Sequence, residues 1–262
     1  MKMKSIEKYY LAKERFGTSL CIGIDPDIEK IPHIFPKNAK GLSEFSRVII
    51  DITKDIATAY KINFAFFEIF GADGLKAIEE ILTHIPEQTF TIADAKRGDI
   101  GNTSKFYARS IFEHFNFDSI TVNPLMGKDS IEPFFSFTNK LVFLLGITSN
   151  SGANDFLKTK SDNSLLYENI FSKSREWFSD DNLGFVTGAT QINEFIRARE
   201  LAPDNLFLIP GVGAQGGDIE QLKQHKLNPC LINVSRGILF DSTKIDFAEK
   251  ARARALEYAK LF

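Results

Sequence analysis

Short apolar runs alternate with amphipathic segments along the whole chain. The apolar runs fall at Ser19–Ile24, Ala59–Phe66, Phe90–Ala95, Ser119–Val122, Leu141–Ile147, Gly184–Thr187, Phe207–Ile209 and Cys230–Val234, and each reads as a strand. Helical periodicity falls between them, at about 43–56, 74–84, 103–115, 129–138, 164–178, 190–199, 217–225 and 246–260, and a charged helical segment, MKMKSIEKYYLAKERF, precedes the first strand. Eight strand–helix units in 262 residues match an α/β chain folded as a (β/α)8 TIM barrel in number and length. A doubly wound open sheet is the competing architecture. No linker or low-complexity stretch divides the chain, so residues 1–262 read as one barrel domain whose N-terminal helix closes the bottom. Two longer loops, about Pro26–Leu42 and Ser149–Asn163, follow strands, which in a barrel places them on the catalytic face. The second, rich in Ser, Asn and Gly, has the composition of a lid.

The polar residues gather where strands give way to loops. Asp25 ends the first strand. Lys61 and Asn63 lie in the second, followed by Glu68. Asp94 and Lys96 end the third, Asn123 the fourth, Thr148 and Ser149 the fifth and Thr187 the sixth. The seventh ends in Pro210-Gly211-Val212-Gly213 and the eighth in Ser235-Arg236-Gly237. In a barrel these ends form the active-site rim. A single Asp at a strand end is usually a turn or cap residue, but Asp25, Lys61, Asp94 and Lys96 from three successive strands make a set. The stretch TIADAKRGDIGNTSKFYA, residues 91–108, is the densest part of it. Residues two apart share a strand face, so Asp94 and Lys96 are expected to point the same way, with Asp99 beyond a glycine in the turn before the next helix. Burying such charges is costly unless they are paired, whereas an array of this kind makes a preorganised electrostatic site.

The segment IPGVGAQGGDIEQL, residues 209–222, contains a G-x-G-x-x-G between a strand and a helix. A dinucleotide fold would place that motif after its first strand, with an acidic residue about 20 positions on. Here more than 200 residues precede it and Ser235-Arg236-Gly237 follows. Glycines at a helix N-terminus with an arginine from the next strand suit a phosphate, a recurring feature after strands seven and eight of barrels. Gln215 then becomes a candidate ligand to phosphate or to a nearby base.

Composition narrows the classes. A net charge of −2 gives no electrostatic footprint for nucleic acid or for an anionic membrane. No apolar run approaches a membrane span and the N-terminal segment has no signal-like apolar core, so a cytoplasmic location is expected. Cys21 and Cys230 lie far apart in apolar runs and read as buried small hydrophobes. The four histidines, His33, His84, His114 and His225, show no metal-ligand spacing. The 25 phenylalanines point to an aromatic core or subunit interface, and Trp177 reads as helix core.

Taken together, Asp94-Ala95-Lys96-Arg97-Gly98-Asp99 with Ile100 and Thr103, the run Pro210 to Gly217 with Arg236, and the GIDPD opening at Gly23–Asp27 resemble the orotidine 5'-monophosphate decarboxylase family, in its longer-chain bacterial (type 2) branch. The resemblance spans nearly the whole chain. It implies a homodimeric barrel that converts orotidine 5'-monophosphate to UMP and CO2 with neither metal nor organic cofactor. It also implies a charged network of Lys61, Asp94, Lys96 and Asp99, with Lys96 stabilising and protonating a C6 carbanion. Asp99, with Ile100 and Thr103, would reach the neighbouring subunit's site. Asp25 and Lys61 would hold ribose hydroxyls, and Ser149 the pyrimidine, with Thr148 the alternative because the residues after Ser149 depart from the usual pattern. Gln215 and Arg236, with Pro210, Gly213 and Ser235 around them, would hold phosphate. Three rivals share parts of the pattern. A Mg2+-assisted sugar-phosphate decarboxylase or aldolase would need Glu68 as an extra ligand. An NADP oxidoreductase would use the glycine-rich turn and Arg236. A catalytically silent nucleotide-binding barrel would need only the site's shape.

Overall fold

The structure is a computed structural model and describes residues 3–161, 163–188, 192–211, 224–225 and 227–262. Its strands are β1 (Leu20–Ile24), β2 (Ala59–Asn63), β3 (Phe90–Arg97), β4 (Ser119–Val122), β5 (Leu141–Ile147), β6 (Lys160–Ser161), β7 (Ser164–Leu165), β8 (Leu183–Thr187), β9 (Leu206–Pro210) and β10 (Cys230–Val234). Eight of them close a barrel in the order β1-β10-β9-β8-β5-β4-β3-β2, while β6 and β7 form a separate hairpin. The described helices are α1 (Ser5–Phe16), α2 (Ala39–Thr53), α3 (Ala65–Glu68), α4 (Ala72–Leu82), α5 (Gly101–Arg109), α6 (Lys128–Phe135), α7 (Leu166–Trp177), α8 (Ile192–Leu201), α9 (Arg236–Leu239) and α10 (Phe247–Leu261). The (β/α)8 barrel expected from the hydrophobic pattern is the fold, and the open-sheet alternative is not. The helix expected over 217–225 falls almost entirely outside the described residues. By internal contacts the chain divides into two compact units: 1–6 with 96–232, and 7–95 with 233–262.

In the second of these units β1, β2 and β3 run parallel in tight register, Cys21 against Ala59 and Ala59 against Phe90, so Asn63 stands against Asp94. The expected second strand ran on to Phe66. It stops at Asn63 because that side chain accepts a hydrogen bond from the Ala65 amide at 3.2 Å, turning the chain into α3. α2 starts where Asn38 accepts from the Gly41 amide at 3.1 Å. Only glycine fits at 41, since a Cβ there would lie 1.8 Å from the Pro36 carbonyl oxygen. Phe45 of α2 stacks with Phe240, their centroids 6.1 Å apart, and meets Phe35 and Phe247 at 5.7 Å each. Tyr9 of α1 is fully buried edge-on against Phe90 at the amino end of β3, where a bottom-closing helix belongs.

In the other unit β4, β5, β8 and β9 pair in parallel, with a register shift between Leu145 and Ile147 that bends β5. Phe171 of α7, Phe185 of β8, Phe207 of β9 and Phe195 of α8 interlock at centroid distances of 4.3 to 6.0 Å. The abundant phenylalanines thus serve the core. Trp177 does not: it ends α7 half-buried beside Phe178. Both cysteines are buried free thiols, and among the described residues no helix is long and apolar enough to cross a membrane.

Arg199 of α8 is only 5% exposed and bonds to four main-chain carbonyls. Its guanidinium donates to the carbonyls of Ala202 and Asn205 at 3.2 and 2.9 Å and to those of Leu227 and Pro229 at 3.0 and 2.9 Å. It also lies 3.6 Å over the Phe207 ring. This one side chain ties the segments leading into β9 and β10 together. Arg199→Met keeps the apolar stem but leaves those carbonyls without their donor. It is expected to cost about 2–4 kcal/mol and to lower Tm by about 5–10 °C in a thermal melt. An unchanged Tm would refute the staple.

Candidate active site

The residues singled out at strand ends divide between the two units. In the unit of 7–95 and 233–262, Lys61 of β2 is 4% exposed and Asp94 of β3 is 8% exposed. The Lys61 Nζ donates to Asp94 Oδ2 at 2.6 Å and to Asp25 Oδ1 at 3.4 Å. Register explains the meeting: Gly23 stands against Lys61, so Asp25, two residues beyond Gly23, and Asp94, level with Asn63, lie where a lysine side chain rising from position 61 ends. Burial alone would pull the Lys61 ammonium toward neutrality. The charges of Asp25 and Asp94 and the Asp94 hydrogen bond outweigh it and hold its pKa above the ordinary lysine value. Beneath it, Cys21 places its Sγ 3.6 Å from Asn233 Oδ1, and burial pushes that thiol's pKa up, keeping it neutral.

Gly23 is a site residue that pattern reading missed. A Cβ there would lie 2.8 Å from the Ser235 Cβ and 2.9 Å from Asn233 Oδ1, so the glycine makes room for two polar side chains from the end of β10. The Ser235 hydroxyl is buried without a hydrogen-bond partner among the described residues, and Arg236, opening α9, is exposed. Glu68 is exposed at the end of α3. Among the described residues no three His, Cys, Asp or Glu side chains are grouped as metal ligands.

In the other unit, Lys96 is exposed and its backbone is left-handed, φ +46°. A non-glycine residue in this region carries roughly 1–2 kcal/mol of strain and marks a place where the surroundings impose it. The Lys96 amide donates to the Thr121 hydroxyl at 3.0 Å, and the Asn123 amide donates to the Arg97 carbonyl at 2.8 Å. Asp99 lies half-buried in the turn beyond. Its carboxylate accepts from the Ile100 amide at 2.8 Å, and its carbonyl accepts from the Ser104 hydroxyl at 2.6 Å. Ile100 and Thr103 are exposed at the start of α5. Thr148 and Ser149 are both half-buried after β5. Gly188 lies against Ser149 so closely that a Cβ on it would stand 2.7 Å from the Ser149 amide nitrogen. Pro210 ends β9 half-buried; Gly213 and Gln215 lie outside the described residues. The loop with lid-like composition carries a short 3-10 turn, Ser151–Asn154, and the β6–β7 hairpin, and Lys158 pairs with Glu194.

The Lys61 triad makes a pH-dependent prediction. Lys61→Met leaves two carboxylates in a buried setting without their cation, which is expected to cost about 3–5 kcal/mol near neutrality. Without the ammonium, burial raises the folded-state pKa of the Asp94 carboxyl above its unfolded value of about 3.9. A raised folded pKa gives stability that is present below the unfolded value and lost as pH rises through the folded one. The deficit relative to wild type therefore shrinks between pH 8 and pH 5. Over that range wild-type Lys61 stays charged, because its own raised pKa is lost only at alkaline pH. Urea unfolding of both proteins at the two pH values checks this, and an equal deficit at both would refute it.

The profile of the "Orotidine 5'-phosphate decarboxylase / HUMPS family" matches residues 18–251. A Flavobacterium johnsoniae protein named orotidine 5'-phosphate decarboxylase is 43% identical over 263 residues, covering 98% of this chain and 95% of its own. A Bacteroides fragilis protein of the same name is 44% identical over 251 residues, covering 93% and 92%. The structure of Leishmania donovani OMP decarboxylase matches with a TM-score of 0.87 at 35% identity, covering 98% of this chain and 97% of that one. The chain is an enzyme of the orotidine 5'-phosphate decarboxylase family.

Proposed function

We propose that the protein decarboxylates orotidine 5'-monophosphate to UMP and CO2, the last step of de novo UMP synthesis, and does so in the cytoplasm with no metal or organic cofactor. The observation that carries this reading is the run Asp94–Asp99. A buried carboxylate ion-paired to Lys61 is followed two residues later by a lysine on strained left-handed backbone and then by a second carboxylate. Relatives above 40% identity over nearly the full chain carry the decarboxylase name, which weighs against the sugar-phosphate, oxidoreductase and silent-barrel readings.

In the proposed mechanism the bond from C6 of the pyrimidine to its carboxylate breaks and the electron pair stays on C6. No adjacent carbonyl delocalises that pair fully, so the barrier is lowered by fixed charge. The Lys96 ammonium lies beside C6, stabilises the carbanion and donates the proton that replaces CO2; solvent then returns a proton to Lys96. Asp94 and Asp99 keep Lys96 charged and in place. Lys61, held cationic by Asp25 and Asp94, offers its remaining hydrogen-bonding capacity to the ribose hydroxyls together with Asp25. Ser149, or Thr148 beside it, contacts the pyrimidine. Arg236, Ser235, Pro210, Gly213 and Gln215 receive the phosphate, and the exposed guanidinium and unpartnered buried hydroxyl at the end of β10 suit that task. Phosphate binding far from C6 supplies remote binding energy that closes the loops over the reacting atoms.

The active form is proposed to be a homodimer in which Asp99, with Ile100 and Thr103, completes the partner's site. Asp99 sits in a turn whose neighbour Ile100 is exposed, and the same unit leaves Phe106, Leu125 and Met126 each more than half exposed. So much uncovered apolar surface fits a subunit contact.

Two experiments test the reading. Mixing EDTA-treated protein with orotidine 5'-monophosphate is expected to give a fast ultraviolet change to UMP, and Lys96→Ala to abolish it while remaining folded by circular dichroism. Turnover only on adding Mg2+, or retained turnover in the lysine variant, would overturn the mechanism. For the shared site, inactive Lys96→Ala and Asp99→Ala proteins are dissociated, mixed and reassociated. Each hybrid dimer regains one intact site, so the mixture is expected to recover about a quarter of wild-type activity. No recovery from verified hybrids would place Asp99 in its own subunit's site.

A further inference from the structure

Strand β3 does not simply fray at its catalytic end. Lys96 is still part of the strand, yet its φ is +46°, and three consecutive positions there rest on the end of β4. The Lys96 amide donates to Thr121 Oγ1 at 3.0 Å. The Arg97 carbonyl accepts from the Asn123 amide at 2.8 Å. Gly98 lies so near Asn123 that a Cβ on it would stand 3.0 Å from that residue's carbonyl oxygen. The first of these contacts differs in kind. Its acceptor is a side-chain hydroxyl, on a residue only 1% exposed, where a strand amide ordinarily meets a main-chain carbonyl.

A left-handed lysine persists only where its surroundings over-determine it. Main-chain bonds are available to any sequence, but this one depends on the residue at position 121. Threonine suits the place: its β-branch stiffens χ1, so the hydroxyl is held at one point, and its methyl packs in the buried strand. We infer that Thr121 is a positioning residue for the decarboxylation. By accepting the Lys96 amide it sets the backbone from which the Lys96 ammonium is aimed. The inference rests on the reading of Lys96 as the group that stabilises and protonates C6.

Three variants are compared in steady-state decarboxylation of orotidine 5'-monophosphate, with UMP affinity measured by titration calorimetry. Thr121→Val keeps the shape and removes the acceptor. Its kcat is expected to fall about 10- to 100-fold, the scale of a small misplacement of a catalytic group, while KM and UMP affinity stay within roughly 3-fold because ground-state binding does not run through Lys96. Thr121→Ser keeps the acceptor and is expected to retain kcat within roughly 3-fold. Thr121→Ala adds no bulk and gives the same readout as valine where valine does not fold. Amide hydrogen exchange at Lys96 is expected to quicken in Val and Ala but not in Ser. A merely structural role would lower Tm in Val and leave the kcat of folded protein unchanged, and that result overturns the inference. Lys96→Ala is run alongside. If it is inactive while a folded Thr121→Val matches wild type, the inference alone fails; if it keeps turnover, the reading of Lys96 fails and the inference with it.

Discussion

A lysine ammonium 4% exposed in a barrel strand is tolerable only while opposite charge faces it. Lys61 meets two carboxylates, and much else in its unit follows from that requirement. Moving each such ion out of water costs several kcal/mol even after relaxation, and mutual attraction offsets this only with good geometry and additional hydrogen bonds. The register of β1, β2 and β3 supplies the geometry, because it brings the ends of the first and third strands level with the reach of a side chain from the second. The glycine at 23 leaves room for Asn233 and Ser235, and the buried thiol of Cys21 stays neutral and adds no charge. A triad of this kind is a poor source of stability compared with an apolar core of the same volume. Its retention makes sense as a fixed electrostatic field, already assembled before a substrate arrives.

Strand positions were legible because a parallel barrel buries its strands on both faces and writes them as continuous apolar runs. β4, β5 and β10 match the expected bounds residue for residue. Where reading failed, a side-chain bond or a length was responsible. Phe64–Phe66 is as apolar as any strand, but the Asn63 side chain caps the turn ahead of it. The β6–β7 hairpin has strands of two residues, too short for alternation to register. Lys61, Asp25 and Asp94 were found as a group because charge at the end of an apolar run is conspicuous. Gly23 and Gly188 were not, because nothing in a sequence says which glycine makes room for a neighbour's side chain and which simply turns the chain.

Lys96 marks the boundary of what pattern can reach. Alternation gives no sign of its left-handed backbone. No lysine propensity announces such a conformation. It is imposed from outside, by a threonine that in its own sequence context, Ser-Ile-Thr-Val, is an ordinary β-branched strand former. The two lysines are therefore set by different physics. The Lys61 ammonium is paired with carboxylates in a buried setting, and the Lys96 backbone is fastened to the neighbouring strand.

That division suits the chemistry proposed for each. A group that holds hydroxyls of a bound ligand gains from being rigid, charged and unavailable as an acid, and the two carboxylates, by raising the Lys61 pKa, suit that lysine to all three. A group that gives up its proton once per turnover must exchange it with solvent afterwards, and an exposed ammonium meets water more readily than a buried one. Lys96, exposed at the end of its strand, can recover a proton from water once product has left. Its precision then has to come from somewhere other than burial. Backbone strain held by a hydrogen bond supplies precision without burial: it restricts where the side chain starts. With the strain on Lys96 itself and its fastening on the neighbouring strand, the proposed mechanism has one lysine both well aimed and open to reprotonation by water.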